Sequence, residues 1–274
     1  MVDEQGRNWE LDKMTEFSII IPTWKNIKYL DLAYRSIAQN SAADHEVIVF
    51  FNEFDEDCEQ WLKDKNVLHD KAAENLGVCG AVNRAAKLAT QKYICFMNDD
   101  MYVLPGWDTA LEKYFDLSDK LWLSGTAVEA GKATPCYIGG CDYGDSPENF
   151  QEEKLLKEYE TLKRSYDVVS TWTPILISKS NWDEIDGLDE NYFPGNGSDP
   201  DLAMKMYQYG CRHFIGVGTS LVYHFSRSTI SRFDDKKTMD QKDYFKQKWG
   251  MSWKKFFRKV IHRDKMIQPP VDRS

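Results

Sequence analysis

The sequence predicts an α/β protein built around a parallel sheet, and three observations carry that expectation. The runs at 17–21, 46–51 and 93–97 are apolar at consecutive positions, as strands covered on both faces are. Stretches with helical spacing separate them, giving the strand, helix, strand order of βαβ units. Each run ends in polar residues: Thr23 with Asn26, Asn52 with Glu53, and Asn98-Asp99-Asp100. Open sheets of this kind bind ligands beyond the carboxyl ends of their strands, so these ends mark one candidate site.

Taken in order, the first strand is stopped by Pro22, and a helix over about 26–39 follows with Ile27, Leu30, Leu32, Tyr34 and Ile37 at its apolar positions. The strand 46–51 runs into the polar string 52–57. A helix over 58–65, a short strand at 67–68 and a helix over 77–90 lead to the strand 93–97. The second half has a different texture. A strand is expected over 121–126, a loop rich in Gly, Pro, Cys and Asp over 131–150, a charged helix over 152–166, and a strand over 168–178. A helix near 200–206 stops at Gly210, and two strands at 214–217 and 220–224 close the pattern.

The ends differ from this body. Residues 1–15 read as a leader. From about 233 to 274, aromatic residues including Tyr244, Phe245, Trp249, Trp253 and Phe256 alternate with Lys246, Lys248, Lys254, Lys255 and Arg258. Such a basic, amphipathic helical tail either packs its aromatic side on the core or lies on an anionic membrane surface.

Composition narrows the function classes. Apolar residues at 42% and charged residues at 29% of the 274 positions fit a soluble globular protein and argue against wholesale disorder. A net charge of −9 argues against general nucleic-acid binding, which needs a basic surface. No apolar run approaches the roughly 18 residues needed to span a bilayer, and the opening MVDEQGRNWELDKM is polar and acidic, so no signal peptide or anchor is expected. The six cysteines show no CxxC pairing and read as reduced thiols, which points to the cytoplasm.

The residues after the third strand carry the first chemical argument. A divalent cation bridging two phosphates takes hard oxygen ligands held at one rigid point, and Asn98, Asp99 and Asp100 begin where a buried strand ends. A plain acidic turn would look the same, so the neighbours decide. The block NLGVCGAVNR, Asn75 to Arg84, offers glycines that permit close backbone approach, and its arginine could pair with a diphosphate. Further on, GNGSDPDL sets Asp199 ahead of a helix start, with Pro200 suited to the first helical position. There Asp199 is placed to cap the helix, as aspartates commonly do. His224, ending the last strand, is open to a structural or a ligand role.

Seven pieces in this order resemble the family 2 glycosyltransferases of GT-A fold, over about 17–229: SIIIPTW, EVIVFFN, ENLGVCGAVNRA, YICFMNDDMYVLPGW, SNWDEIDGLDENYF, SDPDLAMKMYQYG and VYHFSRST. The resemblance implies a Rossmann-like nucleotide-binding half over about 16–105 on a mixed central sheet. An acceptor-binding half over about 106–232 would follow, with the helical tail beyond. It implies an inverting transfer of a sugar from a nucleoside-diphosphate donor, with UDP as the commonest base and Mn²⁺ or Mg²⁺ as cofactor. Thr23 and Asn52 would contact the nucleoside, helped by Pro22, Trp24, Asn75 and Gly77, with Asn83 and Arg84 near the donor. The family's D-x-D metal aspartates fall on Asn98 and Asp100. Asp99 would touch ribose or sugar, and His224 matches a histidine that some members add to the metal. The Glu-Asp pair carrying the catalytic base falls on Ser198 and Asp199, with Asp201 in reserve, and Trp172, Asp189 and Gly197 would face the acceptor.

The chain departs from that pattern at several positions. Asn52 stands where an aspartate is usual, Asn98 replaces the first metal aspartate, Ser198 replaces the glutamate, and Thr171-Trp172-Thr173-Pro174 is bulkier than the usual small residues. Three rivals stay in view. A nucleotidyltransferase would need a glycine-rich phosphate loop after the first strand, and IPTWKN has no glycine. A non-catalytic sugar-binding module needs neither metal nor base. A degenerate relative would bind donor without transfer. The acceptor, whether glycan, lipid-linked or protein, is not legible, and the basic tail raises peripheral membrane contact as one use.

Overall fold

The computed structural model describes residues 14–226 and 241–261. The expectations for 1–13, 227–229, 233–240 and 262–274 lie outside the described residues. The chain opens with β1 (Phe17–Thr23), α1 (Ile27–Asn40), β2 (Glu46–Phe51), α2 (Glu56–Lys63) and β3 (Leu68–Lys71). It continues with α3 (Gly77–Ala86), β4 (Tyr93–Phe96), β5 (Met101–Val103) and α4 (Trp107–Glu112). There follow β6 (Leu121–Val128), β7 (Tyr137–Ile138), α5 (Glu152–Leu162), β8 (Val168–Val169), β9 (Ile175–Ser178) and α6 (Lys179–Glu184). The last elements are α7 (Ser198–Tyr209), β10 (His213–His224), α8 (Gln241–Trp249) and α9 (Trp253–Phe256), the last running into a π-helical turn at Phe257–Ile261.

Among the described residues the strands form one ten-stranded mixed sheet, with β3-β2-β1-β4-β9-β6-β10-β5 as its main path. The β3-β2-β1-β4 portion is parallel, and β9 enters antiparallel to both β4 and β6. The central parallel strands β1 and β4 are buried along their length, with α1 and α3 covering opposite faces of the sheet, while the edge strand β3 is largely exposed. Ile19, Ile21 and Phe51 join one apolar cluster with Leu30 and Ile37, while Ile20, Ile48 and Phe50 join another with Val82 and Ala85. Consecutive apolar residues thus serve two cores, and β1 has no exposed face.

The second half differs from its sequence reading in four places. The expected strand over 168–178 is two strands, β8 and β9, with residues 170–174 between them in neither. The two expected strands at 214–224 are one, β10, whose pairing with β6 is interrupted between Gly216 and Leu221, as at a bulge. The expected loop 131–150 holds the short strand β7, and β5, α4 and α6 were not expected at all. These elements are two to six residues long, too short to display a period.

The described part of the tail packs on the core. Phe245 and Phe256 are completely buried in the cluster that also holds Tyr192, Leu202 and Met206, and Tyr244, Trp249, Trp253 and Phe257 pack against it. Burial of each phenylalanine is worth about 1.5–3 kcal/mol. The aromatic side is therefore occupied, while Lys242 and Lys246 face solvent. All six cysteines are free thiols, and only Cys141 is not buried. Among the described residues no helix is long and apolar enough to cross a membrane.

Candidate active site

The ends of β1, β2 and β4 meet through side chains. Asn52 donates its backbone N–H to the Thr23 carbonyl at 2.9 Å, and Thr23 Oγ1 donates to Asp99 Oδ2 at 2.7 Å. Asn26 Nδ2 reaches the other oxygen of Asp99 at 3.4 Å. Pro22, fully buried, extends β1 opposite Phe50, where an N–H is dispensable. Trp24 lies beyond the strand end, its indole donating to Glu53 at 2.8 Å.

Asn52 also builds the entry to α3. Its Oδ1 accepts from the Leu76 N–H at 2.9 Å and its Nδ2 reaches the Gly77 carbonyl at 3.4 Å. An aspartate, the family's residue here, could make only the first of these contacts. Asn75 Oδ1 accepts from the Gly77 N–H at 2.8 Å, shaping a turn in which Gly77 takes φ +71. A Cβ at Gly77 would lie 2.9 Å from the Phe193 ring, so backbone freedom and space both require glycine.

Asn83 and Arg84, expected near the donor, are committed elsewhere. Asn83 both donates to and accepts from the backbone of Leu188, at 2.8 and 2.9 Å, and donates to Glu190. Arg84 makes a two-pronged pair with Asp70 of β3, at 2.9 and 2.8 Å, and its guanidinium lies 5.1 Å from the Phe50 ring centre. Both join α3 to its neighbours, and the helix turns them towards those elements.

A second cluster gathers where β5, β6 and β10 run side by side. Register sets His224 opposite Met101, which places its ring beside Asp100. The Nε2 atom lies 3.4 Å from Asp100 Oδ1 and Nδ1 lies 2.7 Å from Glu129 Oε1. Burial alone would lower the His224 pKa, but the Asp100 and Glu129 carboxylates outweigh it and lift the imidazole to about 10. Burial would raise Glu129, and the imidazolium holds it below the usual carboxylate range. Asn98 lies just ahead, half-buried. Glu129 carried no motif signal. It becomes visible only through strand pairing.

Among the described residues no group of three or more His, Cys, Asp or Glu side chains is gathered to hold a metal ion. The donor set still suits a cation that arrives with a diphosphate. Asp100 offers a hard oxygen and His224 a nitrogen once an arriving cation displaces the Nε2 proton, with Glu129 behind the imidazole in the place an orienting carboxylate takes. Phosphate oxygens and water would complete the shell.

Asp199 stands apart from both clusters in having a different environment. The helix α7 begins at Ser198, two residues earlier than a capping role for Asp199 requires, and Gly197 at φ +86 is its cap. Asp199 is therefore the second helical residue, and Pro200 the third. Set deep in the protein and only partly exposed, its carboxyl is lifted by desolvation to about 7, with no hydrogen bond contributing. Tyr137 of β7 links this carboxyl to the metal-side cluster. Desolvation raises its phenol first, and the charges of Glu129 and Asp199 raise it further. Trp172, 40% exposed, has its ring 6.1 Å from that of Tyr137.

Asp201 and Asp189 have other work. Asp201, expected as a reserve base, is wholly buried and accepts from Tyr192, Lys248 and Trp249. Asp189, expected at the acceptor, accepts from Tyr244 and Lys248, whose hydrogen bonds overcome desolvation and hold its pKa at about 2. A carboxyl filled with donors cannot take a proton from a substrate. Gly197 packs under Trp253, which lies 2.8 Å from where a Cβ would stand.

Residues 18–134 match Glycosyl transferase family 2. No curated protein matches the chain by sequence. Among solved structures, the fold is similar to that of TarS residues 1–349 from S. aureus, at 14% identity and a TM-score of 0.51, covering 78% of this chain and 59% of that one. The same TarS segment has also been solved in complex with UDP, at 14% identity and a TM-score of 0.52. GalNAc-T7, solved with UDP, GalNAc and Mn²⁺, is similar at 13% identity and a TM-score of 0.62, covering 92% of this chain and 57% of that one. The chain thus spans under three-fifths of each of these proteins, and the likeness is one of fold.

Proposed function

Because residues 18–134 match glycosyl transferase family 2, we propose that this chain transfers a sugar from a UDP-sugar to an acceptor hydroxyl with inversion, releasing UDP. The observation that carries the reading is the pairing of two unlike acidic centres. Asp100, beside His224, is buried and held in an ion pair. Asp199 is partly exposed and desolvated, with a carboxyl near neutrality. One suits a diphosphate's counterion and the other suits proton abstraction.

Asp100 and His224 would hold a Mn²⁺ or Mg²⁺, which when bound neutralises charge on the departing diphosphate. Glu129 keeps the His224 ring turned towards Asp100. Thr23, Asn52, Asp99 and the turn at Asn75 and Gly77 form the floor on which the nucleoside would lie. Asp199 takes the acceptor proton as the hydroxyl oxygen attacks the anomeric carbon from the face opposite the diphosphate. Trp172 gives a flat apolar surface of the kind a sugar ring packs against. The UDP in the TarS and GalNAc-T7 structures, and the Mn²⁺ in the latter, support the choice of donor nucleotide and ion.

The test is calorimetric titration of UDP and GDP with and without Mn²⁺, followed by turnover of Asp199→Asn. Ion-dependent binding of UDP, abolished by Asp100→Ala, is the expected result. Loss of turnover by about 10²–10⁴-fold in Asp199→Asn with UDP binding retained is expected alongside it. UDP binding indifferent to both the ion and Asp100 would remove the metal role.

A further inference from the structure

The segment 189–201, a loop that runs into the first turn of α7 and carries Asp199 there, is held at both ends by the C-terminal segment. At its start, Asp189 accepts from Tyr244 at 2.8 Å and from Lys248 at 2.6 Å. At its end, Asp201 accepts from the same Lys248 at 2.8 Å and from the Trp249 indole at 2.6 Å. Between them, Gln241 donates to the Phe193 carbonyl at 2.6 Å, and Trp253 packs on Gly197, two residues before Asp199. The loop in turn leans on the nucleotide side, since Val78 donates to the Pro194 carbonyl at 2.8 Å.

One cation therefore joins two carboxylates twelve positions apart in sequence, at the two ends of one loop. Both ion pairs are largely shielded, with Asp201 fully buried and Asp189 12% exposed. Pairs so placed are costly to break, because removing the cation leaves two desolvated carboxylates facing each other. Tyr192, inside the loop, donates to Asp201 as well, so the ends and the middle share one network.

We infer that Lys248 is a positioning residue for Asp199: by bridging Asp189 and Asp201 it draws closed the loop that sets the base. The inference rests on Asp199 being the base. It gives the basic tail a use inside the enzyme, where sequence alone offered either packing or a membrane surface.

The test compares Lys248→Met and Lys248→Arg in the full chain by hydrogen exchange and by the titration of the ¹³C-labelled Asp199 carboxyl. With Lys248→Met, exchange over 190–200 should quicken on the order of tenfold, while peptides covering 17–23 and 46–51 stay as in the parent. The Asp199 midpoint should fall from about 7 as water enters the opened loop, and Lys248→Arg should restore both readings. Unchanged exchange and midpoint in Lys248→Met would overturn the inference. So would quickened exchange throughout the sheet, or an arginine variant as impaired as the methionine one. Normal turnover by Asp199→Asn would instead sink the base assignment while leaving the exchange and titration results standing, so the two failures are distinguishable.

Discussion

Thr23 Oγ1 donates to Asp99 at 2.7 Å, tying the end of β1 to the turn after β4 among buried residues. The hydroxyl is 2% exposed as part of its residue and the carboxylate 5%, so water cannot replace one for the other. Thr23→Val keeps the shape and removes the donor. A hydrogen bond to a buried charged group is worth about 1.5–3 kcal/mol, and urea denaturation should show a loss of that size. UDP affinity should fall too, because Asp99 then loses its fixed orientation. A variant with parent stability would mean the bond contributes nothing net.

Glu129 is predicted to act on the ion through His224. With Nδ1 held by Glu129 at 2.7 Å, the ring has one orientation and Nε2 is turned to Asp100. Glu129→Gln keeps a hydrogen-bonding group of the same size but removes the charge. Loss of such an orienting partner typically lowers metal affinity by about 10–100-fold. Calorimetry of Mn²⁺ with UDP present should record that drop, with the fold unchanged by circular dichroism. Parent affinity in Glu129→Gln would mean that His224 needs no carboxylate behind it.

How much of this was legible depended on whether a residue's partner lay nearby in sequence. The runs at 17–21, 46–51 and 93–97 announced strands because a parallel strand covered on both faces is apolar at every position. The polar ends at Thr23, Asn52 and Asp99 followed from topology alone, and the fold brings these three together. Glu129, Tyr137 and Lys248 could not be read that way. Glu129 reaches His224 across 95 positions and Lys248 reaches Asp189 across 59, so only the sheet register and the returning tail join them. Asp201 shows the converse. The family resemblance left it as a reserve base, and nothing local showed that Trp249 and Lys248 would fill it.

Arg84 offers a test of that lesson. Its residue type and block suggested a diphosphate partner, yet both prongs of its guanidinium meet Asp70 and a third contact goes to the Lys71 carbonyl. The side chains are 41% and 30% exposed, so the pair contributes only about 0–1 kcal/mol. Arg84→Met should therefore leave UDP affinity unchanged within error and lower stability slightly. A large loss of UDP binding by calorimetry would return Arg84 to the donor site.

Asp199 makes a prediction about pH in which activity and stability run in opposite directions. Desolvation raises its pKa from 3.8 to about 7, so the folded chain keeps a proton over a window where the unfolded chain has lost it. Stability then falls as pH rises from about 4 to 7, since the unfolded state binds fewer protons there. A base must be ionised, so turnover should rise across the same upper limit, falling about tenfold for each pH unit below it. An aspartate of ordinary pKa would put that limb near 4 instead. Asp199→Asn should abolish the activity limb. It should also remove the accompanying decline in stability, making the variant more stable than the parent at pH 8 and equal to it near pH 3. Turnover that holds level down to pH 5 would place the proton-accepting group elsewhere, because no carboxyl titrating near neutrality could then be limiting the reaction.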